Sequence, residues 1–293
     1  MAVAVCLTMT ACEKAIEVEE LGQQTEVELP DGTVAKTKKF TFTMKGDFSD
    51  DWKTTRGYLA ADGRDMTDVW VLDYMNGELV QQLHQSDNTA EDFGKPQMSL
   101  AYGSHHVYFV ASRGTEPTLN TTAKTITWTK PRDTFWKDYE ITISSGTSSG
   151  NRSVTLDRIV TKLKLTFTDA IPEGAATFNV TPSSWHYGVD YTTGEPSEAT
   201  ADGTITVNIP SSEIGVVNEA VSIFGFSSVT EWTTDVSVDC KAANNDVLGS
   251  ATITSAPFVR NRVSEYTGPL FGDSGAMTLS LNATWDDSYT GTW

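Results

Sequence analysis

Two short serine motifs in the chain are similar to patterns that carry nucleophilic serines in hydrolases. The first, Gly146-Thr147-Ser148-Ser149-Gly150, matches G-x-S-x-G, which exposes its serine only on a sharp turn from a strand into a helix. The polar residues after it cannot begin an amphipathic helix. The second, Gly272-Asp273-Ser274-Gly275, has no accompanying histidine motif to supply the base of a triad. We therefore predict no catalytic serine and expect that the chain is not an enzyme.

The histidines and acidic loops do not predict a metal site. His105 and His106 are adjacent on a predicted strand, so their side chains point to opposite faces and cannot bind one ion together. The aspartates within residues 47–51 and 62–68 lack the ligand spacing and the glycine of an EF-hand loop. The sequence predicts no metal and no cofactor.

Aromatic residues offer a different kind of chemistry, because sugar-binding surfaces use exposed aromatic rings. The chain has eight tryptophans. Trp185 and Tyr187 lie in a turn-rich stretch and are the best candidates for a glycan-binding platform. A glycan-binding surface protein is therefore one functional hypothesis.

A lipidation motif stands near the start of the chain. Residues 1–12 are mostly apolar and too few to span a bilayer as a helix, which needs about 20 residues. The segment looks like the end of a secretory leader, and Met9-Thr10-Ala11-Cys12 matches a bacterial lipobox. We predict that residues 1–12 form the signal peptide. We also predict that Cys12 carries acyl chains, palmitate among them, and that these chains hold the protein in outer-membrane lipid. Residues 13–33 are predicted to be an acidic tether.

Composition and charge limit the possible partners and the fold class. The net charge of −18 excludes general binding to nucleic acid, since the phosphate backbone would be repelled. Abundant Thr and Ser, together with 22 Gly that suit turns, are typical of an all-β protein rich in turns. Cys240 is the only cysteine beyond the predicted leader, so the mature chain has no intramolecular disulfide.

The pattern of apolar residues predicts two domains built from short strands. Alternation with a period of two recurs from residue 40 onward, and Asn76-Gly77 predicts a tight hairpin turn. The polar stretch 144–151 is interpreted as a loop or linker. We place an N-terminal β-sandwich at residues 34–155 and a C-terminal β-sandwich at residues 156–293.

The last strand has the clearest alternation in the chain. Five apolar residues face one way over residues 277–285, and the sequence predicts that this strand buries one face. The five are Met277, Leu279, Leu281, Ala283 and Trp285.

The chain resembles the fimbrillin superfamily of Bacteroidetes-type fimbriae, in particular its anchor and minor-subunit lipoproteins. Four features carry the resemblance, and together they span nearly the whole chain. They are the lipobox at Cys12, the segment 40–48 (FTFTMKGDF) with Thr55-Arg56-Gly57, the segment 66–73 (MTDVWVLD), and the segment 158–165 (RIVTKLKL).

The resemblance implies a fold, a function and partners. The fold would be two tandem transthyretin-like sandwiches with Greek-key connections, and the partners would be other fimbrial subunits in cell adhesion. In stalk members a protease cuts after an arginine, here Arg56, and the loss of the first strand opens a groove. The C-terminal strand of a neighbouring subunit, here residues 277–285, fills that groove, whereas anchor members keep their lipid and first strand. Three alternatives remain open. The chain is an anchor or a stalk subunit, and Arg56 is cleaved or left intact. The last strand is donated to a neighbouring subunit or closes its own domain.

Overall fold

The computed structural model describes residues 26–29, 32–45, 66–197, 203–271 and 278–282. Nearly all of the regular structure in these ranges is β-strand, with one 3-10 turn at Ser211–Glu213. No helix within them is long and apolar enough to cross a membrane. The all-β prediction is confirmed.

In the described part of the first half, the structure has eleven strands. They are β1 (Glu26–Glu28), β2 (Val34–Lys45), β3 (Asp68–Met75), β4 (Glu78–Gln85), β5 (Gln97–Ala101), β6 (Gly103–Ser112), β7 (Thr115–Asn120), β8 (Thr125–Lys130), β9 (Thr134–Ile143), β10 (Gly150–Thr155) and β11 (Asp157–Arg158).

The described residues of the second half form ten strands. They are β12 (Val160–Phe167), β13 (Ala175–Pro182), β14 (Gly188–Asp190), β15 (Glu195–Pro196), β16 (Ile205–Asn208), β17 (Glu219–Phe226), β18 (Trp232–Ala242), β19 (Val247–Phe258), β20 (Val263–Gly268) and β21 (Thr278–Asn282).

The N-terminal sandwich packs two sheets face to face. One sheet has β2 at its centre, where β1 and β5 pair antiparallel with it and β10 pairs parallel with it. The second sheet has the order β11-β9-β6-β3-β4. The hairpin between β3 and β4 turns at Asn76 and Gly77, whose φ angles of 52° and 84° are those that a type I′ turn requires. The Asn-Gly turn prediction is thus confirmed.

The C-terminal sandwich repeats this strand order. Its first strand, β12, has β17 antiparallel on one side and β20 parallel on the other. The facing sheet has the order β16-β13-β18-β19, which corresponds strand for strand to β4-β3-β6-β9. The two sandwiches are therefore copies of one seven-strand topology. The predicted boundary at residue 155 falls between β10 and β11.

Each copy carries an inserted hairpin, and the two inserts pair with each other. The β7–β8 hairpin leaves the first sandwich between β6 and β9, and β14–β15 leaves the second between β13 and β16. They form a sheet of order β15-β14-β8-β7, so this sheet contains residues from both halves of the chain. A third hydrophobic core lies under it and includes Trp128 and Phe226, whose rings stack with centroids 4.9 Å apart. The two sandwiches are joined by a buried interface as well as by the chain between them.

Candidate subunit-assembly site

Strand β2 is held between two strands that do not pair with each other. Its residues 37–41 pair with β5, and its residues 40–45 pair with β10. Adjacent strands lie about 4.8 Å apart. If β2 were absent, β5 and β10 would therefore face each other across a slot about 10 Å wide, which is the width that one strand fills.

Backbone hydrogen bonds fasten β2 on both sides beyond these ladders. The Phe42 N–H donates to the Pro96 carbonyl at 2.9 Å, and the Lys36 carbonyl accepts from Tyr102 N–H at 2.9 Å. On the opposite side, Leu156 N–H donates to the Lys45 carbonyl at 2.7 Å. A strand that took the place of β2 would have to satisfy two rows of backbone groups, because unpaired buried groups are costly.

The side chains of β2 fill the centre of the N-terminal core. Phe40 and Phe42 are both fully buried. The Phe42 ring meets Phe109 of β6 with centroids 5.1 Å apart and Tyr139 of β9 with centroids 5.7 Å apart. At the edge of the sheet the Arg152 guanidinium lies 4.9 Å from the Phe40 ring centroid. The strand predicted to be removed in stalk subunits is thus a core strand.

The segment 150–155 corrects one sequence interpretation. The interpretation of Gly150 and Asn151 as part of a loop or linker is wrong, because both lie in β10 and pair with Phe40 and Thr41. The alternation of Val154 and Leu156 with polar residues is the signal that could have identified this strand. Sequence reasoning also passed over β5, where Met98 and Leu100 alternate in the same way.

Among the described residues, the C-terminal strand β21 lies at the edge of its own sheet. There it pairs only with β20, antiparallel, with Leu279 opposite Tyr266 and Leu281 opposite Ser264. Its backbone is therefore held by one ladder. In the N-terminal copy the strand equivalent to β20 is β10, and within the described ranges β10 pairs only with β2.

Several predicted site residues fall outside the described ranges. They are Cys12, Arg56, Met277, Ala283 and Trp285. Lipidation at Cys12 and cleavage after Arg56 stay predictions.

The prediction that Trp185 offers an exposed aromatic face is wrong. Its side chain is fully buried in the C-terminal core, and its indole N–H donates to the Phe224 carbonyl at 3.0 Å. The ring lies against Gly225, where an added Cβ would come within 2.5 Å of it. A sugar cannot stack on this residue without unfolding the domain.

Tyr187 is half-buried and carries no free hydroxyl. Its hydroxyl donates to the Gly203 carbonyl at 3.1 Å, and burial raises the pKa of the phenol above its usual value of 10.0. The ring packs against the C-terminal core. Trp185 and Tyr187 therefore do not form an exposed aromatic platform.

The adjacent histidines face opposite sides of the sheet, as predicted. His105 is buried, with Nδ1 2.7 Å from Asp73 Oδ1 and Nε2 2.8 Å from the Ala101 carbonyl oxygen. Acceptors at both ring nitrogens suit the doubly protonated ring. His106 is exposed and its Nδ1 lies 3.0 Å from Asp138 Oδ2.

Cys240 is buried, as the sequence predicts. Its side chain is fully enclosed in the C-terminal core, and burial raises the pKa of the thiol to about 11. The thiol is therefore protonated at neutral pH and packs as a small apolar group.

Comparison with solved structures identifies proteins of similar shape. A provisionally assigned polysaccharide-binding protein from Bacteroides thetaiotaomicron matches with a TM-score of 0.51 and 9% identity, over 86% of this chain and 98% of that one. A provisionally assigned adhesin from Bacteroides ovatus matches with a TM-score of 0.49 and 14% identity, over 88% of this chain and 96% of that one. A fimbrial assembly protein from Parabacteroides distasonis matches with a TM-score of 0.48 and 12% identity, over 87% of this chain and 98% of that one.

Sequence comparisons give no further assignment. No family model matches the chain, and no curated protein matches it. At these identities the similarity establishes shape and not function. The chain has the overall fold of the Bacteroides thetaiotaomicron protein, along nearly the whole length of both.

Proposed function

We propose that the chain is a subunit or an anchor of a surface fimbria, and that it joins other fimbrial subunits by strand exchange in cell adhesion. In this proposal Cys12 is acylated and holds the chain in the outer membrane, at least until any cleavage occurs. The motif resemblance and the two-sandwich architecture support the proposal.

The single observation that carries the proposal is the position of β2 between β5 and β10. Removal of β2 would expose two strand edges and the pocket of Phe40 and Phe42 together. An incoming strand with alternating apolar residues would satisfy both, because strand addition supplies backbone hydrogen bonds and buries side chains in one step. The assembly would need neither a cofactor nor a nucleotide.

The connection between β2 and β3 is the place where a protease would have to act. Arg56 lies between β2, which ends at Lys45, and β3, which begins at Asp68. Cleavage there would free β2 and leave the other six strands of the N-terminal copy in one chain. Cleavage defines a stalk subunit in this proposal, and retention of β2 defines an anchor.

The donor strand of the proposal is the segment 277–285, which contains β21. Departure of β21 from β20 would break the backbone ladder between these two strands. The alternative is that the strand simply closes its own sheet.

Charges on alternate residues of β21 separate these two alternatives. The test variant carries Leu279→Asp and Leu281→Asp, and the matched control carries Thr278→Asp and Ser280→Asp in the same strand. If the strand is a donor, the test variant keeps the melting temperature of the isolated protein and loses fibre assembly, while the control assembles. A large loss of stability in the isolated test variant would assign the strand to its own core and contradict donation.

A second candidate function is glycan binding, which the description of the Bacteroides thetaiotaomicron protein favours. Soluble polysaccharide binding by the full chain would support it. Tyr187→Ala is the informative variant, since Trp185 is a core residue. Unchanged binding in Tyr187→Ala would place any glycan site elsewhere on the surface.

A further inference from the structure

Three side chains that could ligate a metal converge on the outer face of the N-terminal sandwich. His106 lies on β6, and Asp138 and Glu140 lie two residues apart on the neighbouring strand β9. His106 and Glu140 are directly paired in the ladder between these strands. One ligand atom from each residue lies within 4.8 Å of the other two. Within the described ranges this is the one group of three such residues.

Within the described residues, neither carboxylate forms an ion pair with a lysine or an arginine. Asp138 contacts only His106 among the ion pairs of the described residues, and Glu140 has none there. Two negative charges on the same strand face repel each other, and a bound cation would remove this cost. The Lys124 Nζ lies 5.6 Å from the ring centroid of Tyr74, which is opposite His106 on β3.

The three residues lie on two long strands that pair with each other. Both β6 and β9 are ten-residue strands in the middle of a five-stranded sheet. The His106 ring stacks on Tyr108 with centroids 6.0 Å apart, and Tyr108 belongs to the core between the two sandwiches. The ligand group therefore borders the interface that joins the two halves of the chain.

We propose that His106, Asp138 and Glu140 bind a divalent transition-metal ion, with Zn²⁺ the best fit. One imidazole nitrogen and two carboxylate oxygens match a three-ligand zinc site that leaves a fourth position for water. A nitrogen ligand disfavours Ca²⁺, which takes six to eight oxygen ligands. Zinc ligands at about 2.0–2.1 Å are separated by about 3.3 Å in a tetrahedron, so small side-chain rotations would close the present group. The metal would take the place of the proton that His106 now shares with Asp138.

This site cannot be found by comparing neighbours along the chain. His105 and His106 cannot act together, but the residues that can act with His106 come from β9, 32 positions or more away. Only the register between β6 and β9 reveals them.

The test is calorimetric titration of tag-free full chain with Zn²⁺ alone, using matched variants. The wild type should bind with one site, and His106→Asn and Glu140→Gln should each weaken binding at least about tenfold. The control is His84→Asn, because His84 makes a similar 2.8 Å contact with Asp68 but belongs to no group of three possible ligands among the described residues. Its affinity for Zn²⁺ should equal that of the wild type.

Two further measurements keep the result unambiguous. Circular dichroism should show that all variants are folded, which the exposure of His106 favours. A hundredfold excess of Ca²⁺ should leave the zinc affinity within a factor of two. Absence of saturable Zn²⁺ binding in the wild type, unchanged affinity in His106→Asn, or displacement of zinc by calcium would each overturn the proposal.

Discussion

Phe42 of β2 and Phe109 of β6 meet edge to face at the centre of the N-terminal sandwich, with ring centroids 5.1 Å apart and planes at 63°. This contact joins the first strand of the domain to the central strand of the facing sheet. The proposed assembly mechanism therefore removes a residue from the middle of a core. Such a loss is tolerable only if another strand supplies an equivalent side chain.

The first prediction concerns how much β2 contributes to the stability of the N-terminal domain. Phe42→Ala should lower the free energy of unfolding by about 3–5 kcal/mol, because a fully buried phenyl ring is lost and a cavity is left. Denaturant unfolding of the intact chain measures this, with Lys39→Ala at an exposed position of the same strand as control. A loss below about 1 kcal/mol for Phe42→Ala would mean that β2 is not a core strand.

The second prediction concerns the junction of the two sandwiches. Arg158 Nε lies 2.7 Å from Asp133 Oδ1, and its Nη1 donates to Asn261 in the second half. Both members of the ion pair are buried, so Asp133→Asn should cost about 3–5 kcal/mol of unfolding free energy, because it removes the negative charge that Arg158 and Arg113 share.

An exposed ion pair provides the comparison for that measurement. Lys137 and Asp157 are 3.0 Å apart, with side chains 40% and 63% exposed. Lys137→Ala should cost less than about 1 kcal/mol. Similar costs for Lys137→Ala and Asp133→Asn would contradict the importance of the buried junction.

The third prediction is that the stability of the folded protein depends on pH through His105. Burial alone would lower the pKa of His105, but the hydrogen bond and the charge of Asp73 outweigh it and raise the pKa above 6.5. His105 has its usual pKa in the unfolded chain. The stabilisation that protonated His105 gives the folded protein is therefore complete below pH 6.5 and is lost as pH rises through the folded-state pKa.

Thermal unfolding of the wild type and of His105→Gln checks this sign. The stability advantage of the wild type should be largest near pH 6 and should shrink toward pH 9. A difference that grows with pH would show that the buried ring is neutral in the folded protein.

The sequence predicted best those features that are encoded locally. The turn at Asn76 and Gly77 follows from two adjacent residues that tolerate positive φ, and the strands follow from alternation within a few residues. The sheet formed by β8 and β14 could not be predicted, since Ile126 and Val189 pair across more than 60 residues.

The error at Trp185 has a similar physical origin. Its neighbours indicate a surface turn, yet the ring is buried because Gly225 leaves room for it on β17. A glycine within the apolar run Val221–Phe226 marks such a close approach, and only the fold shows which side chain uses it.

The fourth prediction concerns the membrane anchor. Cys12→Ala should move the protein from the outer-membrane fraction to the soluble fraction, since the acyl chains are its proposed membrane contact. The control is Cys6→Ala, which alters a cysteine that lies inside the predicted leader. Retention of Cys12→Ala in the membrane fraction would contradict lipidation at this residue.

Intact mass of the protein recovered from the cell surface tests the central proposal most directly, because it reports lipid and cleavage at once. The proposal predicts a chain that begins at acylated Cys12 in an anchor, or at Gly57 without lipid in a stalk subunit. A surface form that carries no lipid and still contains Arg56 would contradict it.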